Sequence, residues 1–280
     1  MLGRDRIEYK SPEQVRIMRR AGLVVADALD AVRAAAVPGS TTADLDAVAR
    51  DAIAGAGATP SFLGYHGYPA VLCVSVNDEI VHGIPGARVL ADGDIVSIDC
   101  GAIVDGWHGD SAFSAVVGAG EDADRELVDT TEAAMWAGIA ALATGDRLAD
   151  VGSAVEDVVD LALAAGKNGG QRYGVVQEYV GHGIGSAMHQ PPEVLNYRTR
   201  DRGPRIKPGM CLAIEPMLTR GERFTQVLDD DWTVVTDDGS RAAHWEHTVA
   251  ITSEGICVLT ARDGGAEALA GLGVEIHALD

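Results

Sequence analysis

The chain has 280 residues, 47% of them hydrophobic, which is enough for one large α/β unit with a sizeable core. Its formal charge of −20 disfavours broad contact with a DNA or RNA backbone and favours cationic groups such as a free peptide amine. Apolar runs stay well short of about eighteen residues and the start, MLGRDRIEYK, has no apolar stretch, so neither a membrane span nor a secretory leader is expected.

The first predicted element is a helix. Ser11 is its N-cap, Pro12 takes the first helical position and Gln14 completes a capping box. Val15, Met18, Gly22, Val25, Leu29 and Val32 then form one apolar face, and Pro38-Gly39 stops the run. Arg4, Arg6, Lys10, Arg16, Arg19 and Arg20 make this region mildly basic. A solvated helix face is the simpler reading, with a docking patch toward RNA, such as a transient ribosome contact, as the alternative. A second helix is expected from about Thr42 to Ala54, closed by GAGA.

Next come SFLGYHGYPAVLCVSVNDEIVHGIP and two strand-like segments, IVSIDCG and GWHGDSA. Asp105-Gly106 between them is a hairpin signal. A two-residue loop there pairs Val104 with Trp107 and Gly101 with Asp110. Asp99 and Asp110 then become diagonal neighbours on one face, with Cα atoms roughly 7–8 Å apart. A one-residue slip would separate them. GAGEDA at 118–123 has the form of a dinucleotide fingerprint, but Glu121, Asp122 and Asp124 would repel a pyrophosphate, so it reads as a turn.

Helices three and four are predicted over about Asp122–Ala143 and Leu148–Ala164, broken by Gly145. After them come YVGHGIG around His182, HQPP with His189, CLAIEPM with Glu215 and HWEHTVAI with Glu246. The second half repeats the first. PGSTTADLDAVARDAI aligns with TGDRLADVGSAVEDVV, HGIP with HQPP, GDIVSID with GMCLAIE, and HGD with HWE. The pairing equates Asp99 with Glu215, Asp110 with Glu246 and His82 with His189. Residues 1–280 are therefore read as one domain of two halves, about 12–118 and 121–260, each giving two carboxylates at a pseudo-two-fold axis.

Asp99, Asp110, Glu215 and Glu246 cannot share a buried site uncompensated. A pair of divalent cations with His182 as imidazole ligand would neutralise them, and two-metal sites with ions roughly 3.5–4 Å apart are hydrolytic. His82 and His189, each ahead of a proline turn, are expected to flank the site as proton donors or hydrogen-bond partners. Cys73, Cys100, Cys211 and Cys257 lack any CxxC and read as buried thiols in a reducing cytoplasm.

The SFLGYHGYPAVLCVSVNDEIVHGIP segment and the five ligand segments, in this order, closely resemble type I methionine aminopeptidase from about residue 7 to 260. The resemblance implies a pita-bread fold, a curved antiparallel sheet covered by two helix pairs. It implies one ion on Asp99, Asp110 and Glu246 and another on Asp110, His182, Glu215 and Glu246. The ions would be cobalt, manganese, iron or zinc. It further implies Glu215 as proton shuttle, His189 stabilising the tetrahedral intermediate and His82 on the substrate amide. Initiator methionine would be removed from nascent chains with a small second residue, by metal-activated water. Phe62, Tyr65, Tyr68, Cys73, Met188 and Trp232 match the methionine pocket, although Phe62 stands where cysteine is common and Met188 where phenylalanine is. A monomer without DNA or membrane partners is expected. The alternatives are a proline-specific aminopeptidase or prolidase, which carries a large N-terminal domain, and a non-catalytic module, which would have lost ligands.

Overall fold

The computed structural model describes residues 6–279. Helices α1 (Pro12–Ala35) and α2 (Thr42–Gly55) come first, and α3 (Asp122–Thr144) and α4 (Ala149–Ala164) follow at mid-chain. Ser11 accepts the Gln14 amide while the Gln14 side chain accepts the Ser11 amide, and Thr41 and Asp44 form the same reciprocal box ahead of α2. Helix α1 ends at Ala35, short of Pro38, because the chain turns out through Ala36. All six residues predicted for its apolar face are buried.

The strands are β1 (Thr59–Pro60), β2 (Leu72–Val76), β3 (Glu79–Val81), β4 (Ile95–Val104) and β5 (Trp107–Val116) in the first half. The second half has β6 (Gly174–Val175), β7 (Gly181–Gly183), β8 (Gln190–Val194), β9 (Cys211–Ile214) and β10 (Met217–Thr219). It continues with β11 (Thr225–Val227), β12 (Val234–Thr236), β13 (Ala242–His244), β14 (Glu246–Ile251) and β15 (Ile256–Val258). A short helix, α5 (Ala266–Ala270), lies near the end.

Nine strands form one antiparallel sheet in the order β1-β4-β5-β14-β9-β7-β8, with β2 also on β4 and β15 also on β14. Two three-stranded sheets, β13-β10-β6 and β11-β12-β3, flank it. The hairpin register is as expected: Val104 faces Trp107 and Gly101 faces Asp110. Asp105 and Gly106 both have positive φ, +49° and +79°, the geometry a two-residue turn needs to match strand twist.

Alternation along β4 and β5 assigns the faces. Val96, Ile98, Cys100 and Ala102 enter the main core, whose helical wall is built by all four long helices. On that side Gly109 lets α1 sit directly on β5, since a Cβ there would fall 2.7 Å from the Gly22 nitrogen. Asp99, Gly101 and Asp110 point the other way, toward Ser61 and Phe62. The helices thus brace one side of the sheet and leave the other for chemistry.

Two expectations need correction. The basic N-terminal region is not simply a solvated face: Lys10 is buried, and the Arg19 guanidinium donates to the carbonyls of Val258, Leu259, Ala261 and Arg262 at 2.5–3.1 Å. Arg4 lies outside the described residues. The HWE segment aligned with HGD is also not one strand. HGD lies within uninterrupted β5, whereas the chain leaves β13 at His244, passes Trp245 and enters β14 at Glu246. Loop insertions ahead of HWE let it serve two sheets at once.

Candidate active site

A row across the sheet brings the carboxylates together. On β4, Asp99 pairs with Ala112 of β5, and Ala112 also pairs with Glu246 at the start of β14. His247 pairs with Ile214, so Glu246 stands beside the position of Glu215, which directly follows β9. Asp110 sits two residues from Ala112 on the same face. At about 4.8 Å between strands, Asp99 and Glu246 are two strands apart, and only a methyl group stands between them. Ala112 leaves the space into which the acidic side chains lean.

His182 completes the cluster from the centre of β7. Its Nδ1 lies 3.0 Å from the Gly183 carbonyl, which can only accept, so Nδ1 carries the proton and Nε2 is the bare nitrogen. That Nε2 is 3.4 Å from Glu215 Oε1. Burial holds the His182 imidazole down to about 3, neutral at any working pH. Burial also raises the acids. Asp99 is pushed up to about 7, and Asp110, Glu215 and Glu246 well above the usual carboxylate range, with repulsion among the acids adding to the last three. Asp99 Oδ1, Asp110 Oδ1 and Glu246 Oε1 are buried without a hydrogen-bond partner. Hard oxygen donors left bare beside a neutral imidazole fit divalent cations. Asp110, His182 and Glu246 each offer a ligand atom within 4.8 Å of the others, as do Glu215, His244 and Glu246.

The cluster floors a cavity of about 290 Å³, and every site residue named from the sequence lines it. Phe62, Tyr65, Tyr68, Cys73, Met188 and Trp232 form its apolar wall, held by a buried packing cluster of their own. Tyr68 stands edge-on to Trp232 at 4.9 Å and donates its hydroxyl to the Leu72 and Gly83 carbonyls at 2.9 and 3.0 Å. Burial keeps the Cys73 thiol protonated, a wall rather than a nucleophile. His82 stands at the cavity wall. Its backbone is left-handed (φ +62°), its ring packs edge-on to Tyr179 at 5.5 Å, and burial holds it down to about 4. His189 Nδ1 is 2.9 Å from the Tyr65 hydroxyl, and its ring centroid lies 4.3 Å from that of His182. A broader cleft of about 800 Å³ shares His82, His182, His189 and Glu215 and continues past Tyr179, Pro191 and Gly203.

Three lining residues escaped the sequence reading: His66, Val81 and His244. The repeat already equated His244 with His108 through HGD and HWE, and that was the available signal. Ala112 left none, since its importance lies wholly in the register.

Antiparallel strands braced by helix pairs around buried acids, an imidazole and an apolar pocket define a metallopeptidase-like hydrolase. The chain belongs to metallopeptidase family M24, whose model matches residues 16–253. It is 54% identical to methionine aminopeptidase 1 of Mycobacterium tuberculosis over 92% of this chain and 96% of that protein. Against methionine aminopeptidase 1 of Bacillus subtilis it is 45% identical over 90% of this chain and 98% of that one. The crystal structure of methionine aminopeptidase from Thermotoga maritima superposes with a TM-score of 0.86 at 40% identity, covering 92% of this chain and all of that one. A prolidase from Pyrococcus furiosus, 21% identical with a TM-score of 0.69, covers 90% of this chain and 65% of that one and shares the pita-bread fold alone.

Proposed function

We propose that this chain is a dinuclear metal-dependent aminopeptidase that removes the initiator methionine from nascent proteins when the second residue is small. One observation carries the reading. The four acids and His182 share a single cavity with an aromatic, sulfur-lined wall. Asp99, Asp110 and Glu246 would hold one divalent ion, and Asp110, His182, Glu215 and Glu246 the other. Ions bound there activate water and polarise the scissile carbonyl near neutral pH.

The chain's own groups do the rest. Glu215, at the cavity floor beside His182, takes the proton from water and returns it to the leaving amine. His189 is held by Tyr65 and donates to the oxygen that gains charge at the attacked carbon. His82 binds the substrate amide from the opposite wall. The Phe62, Tyr65, Tyr68 and Trp232 rings grip the thioether, with each sulfur–ring contact contributing about 0.3–1.5 kcal/mol. The acids offset the charge of the incoming amine, and past the scissile bond the peptide leaves through the broader cleft.

The domain reading stays with this proposal: one catalytic unit of two halves, about 12–118 and 121–260, each supplying two of the four acids. Four free, buried cysteines support a reducing, cytoplasmic setting. Lys10 is buried and Arg19 is engaged with backbone carbonyls, whereas Arg20 is exposed and paired with Asp105, which weakens the support for a basic docking patch. The expected outcome is that metal-stripped protein is inert and that manganese, iron, cobalt or zinc restores cleavage of Met-Ala-Ser, with Met-Lys-Ser and Xaa-Pro dipeptides resisted. Equal kcat/KM on Met-Ala-Ser and Met-Lys-Ser would overturn the specificity. Faster Xaa-Pro cleavage would favour the prolidase alternative.

A further inference from the structure

His244 is the group in the acidic cluster that this mechanism leaves idle. It ends β13 and is 2% exposed. Its backbone is fastened to β5, because its amide donates to Ser114 Oγ and its carbonyl accepts the Ser114 hydroxyl, both at 2.8 Å. The ring therefore stays where the strand puts it, at the wall of the cavity. Its Nε2 is fully buried, has no hydrogen-bond partner among the described residues, and lies 3.9 Å from Glu215 Oε2. Burying a polar nitrogen without a partner is destabilising by about 1–3 kcal/mol, so a buried orphan in a cluster of acids calls for a missing partner.

A direct hydrogen bond to Glu215 does not supply it, since 3.9 Å exceeds the reach of N–H···O. A shared cation does. Nitrogen and oxygen ligands sit roughly 2.0–2.2 Å from an ion such as zinc, which places two ligand atoms at most about 4.4 Å apart across it. The Glu215–His244 spacing falls inside that limit, and Glu246 brings its carboxylate within 4.8 Å of both. The two triads, Asp110–His182–Glu246 and Glu215–His244–Glu246, share Glu246, and each contains one imidazole.

We propose that His244 is a sixth metal ligand, binding a divalent transition-metal ion through Nε2 together with Glu215 and Glu246. This goes beyond the five-ligand set and rests on the metal-dependent reading above. It gives the site two nitrogen donors, His182 and His244, each within 4.8 Å of a Glu246 oxygen. A second imidazole favours cobalt, iron or zinc over magnesium or calcium, which prefer all-oxygen shells.

The test uses the metal-free full-length chain titrated with Co²⁺ and followed by proton NMR. A histidine bound to paramagnetic cobalt through Nε2 shows its Nδ1 proton far outside the diamagnetic range, and that signal disappears in D₂O. The expected result is two such exchangeable signals, from His182 and His244. His244→Leu and His244→Gln should each lose one signal, and calorimetry should show one equivalent of Co²⁺ bound at least tenfold more weakly. A single exchangeable shifted proton in the wild-type protein, or unchanged affinities in folded variants, would overturn the assignment. The wild-type spectrum decides the matter even where a variant fails to fold. Failure of the chain to bind Co²⁺ at all would instead defeat the metal-dependent reading beneath it.

Discussion

The first and second parts of the chain deliver the residues that line the cavity by different means. In the first, β4 and β5 pair without interruption over ten residues each, and the ladder itself places Asp99 and Asp110. In the second, regular pairing runs out where it is needed. His182 sits in a three-residue strand with a register shift after it, Glu215 lies just beyond β9, and Trp245 separates His244 from Glu246.

Side chains from elsewhere take over the holding in that half. The Asn196 amide donates to the Glu215 carbonyl at 3.0 Å, and Ser111 donates to the Glu246 carbonyl at 2.6 Å. Glu8 reaches from the N-terminal lead to accept the Ser186 amide at 3.1 Å, the Ser186 hydroxyl at 2.6 Å and the Gln190 amide at 2.8 Å. These contacts clasp the loop that carries Met188 and His189. A ladder gives rigidity from local sequence, while broken strands held by distant side chains give openings, and the broad cleft lies on that side. A peptide needs both a fixed floor and a way out.

The sharpest way to break this contrast is to fill the ladder's one gap. Ala112→Leu puts a larger side chain between Asp99 and Glu246, where the backbone cannot yield. The expected outcome is a fall in kcat/KM of roughly 10³-fold, about 4 kcal/mol in barrier, with loss of metal binding by calorimetry while the circular dichroism of the fold persists. The same volume change on the clasped side should be far milder. Removing the clasp itself, by Glu8→Ala, frees the His189 loop and should lower kcat/KM by about tenfold, of the order of one charged hydrogen bond, with metal affinity unchanged. Equal loss of metal binding in the two variants would erase the distinction between halves.

Ser114→Ala probes the seam between them, since this hydroxyl ties β13 to β5. The expected cost is about 1–3 kcal/mol in denaturant unfolding, the penalty for leaving buried backbone groups of His244 unpaired.

The smallest effect is one of pH on the metal-free chain. The acids have folded-state pKa values above their unfolded ones, Asp99 at about 7, so their contribution to stability is present at low pH and is lost as pH rises through that value. His182 and His244, held down to about 3, act oppositely, and their contribution is lost as pH falls below about 6.5. Between pH 7.5 and 9 the histidines are almost wholly neutral in both states and the acids dominate. The Tm of metal-free protein should therefore fall over that window, and a divalent cation should reverse the fall. A Tm that rises from pH 7.5 to 9 without metal would contradict the burial of the acids.

Much of this was legible in the residues. The capping box at Ser11, the apolar stripe of α1 and the Asp105-Gly106 turn are local signals, and the structure realises each of them. The hairpin register followed from the turn alone, so Asp99 and Asp110 could be placed on one face in advance. The five segments carrying the acids and His182, and the residues of the cavity wall, stood out as a set because their order along the chain is distinctive. Helix boundaries moved by no more than about three residues, the ordinary scatter of fraying helix ends.

What local signals could not carry was everything that depends on which strands become neighbours. Lys10 and Arg19 looked like solvated charge, yet Lys10 is buried against the distant Gly185 and Gly209 and Arg19 gathers four carbonyls from the far end of the chain. HWE looked like HGD, yet a strand break divides it between two sheets. Ala112 has no motif, and His244 is marked only by the repeat. One matters as a vacancy between partners from β4 and β14, the other as a nitrogen brought to Glu215 by the stitch at Ser114. Residue type and spacing along the chain determined which chemistry was available, because turns, caps and periodicity act over a few bonds. Only the packing of distant strands decided where that chemistry converges, since a side chain's burial and partners are properties of its neighbours in space.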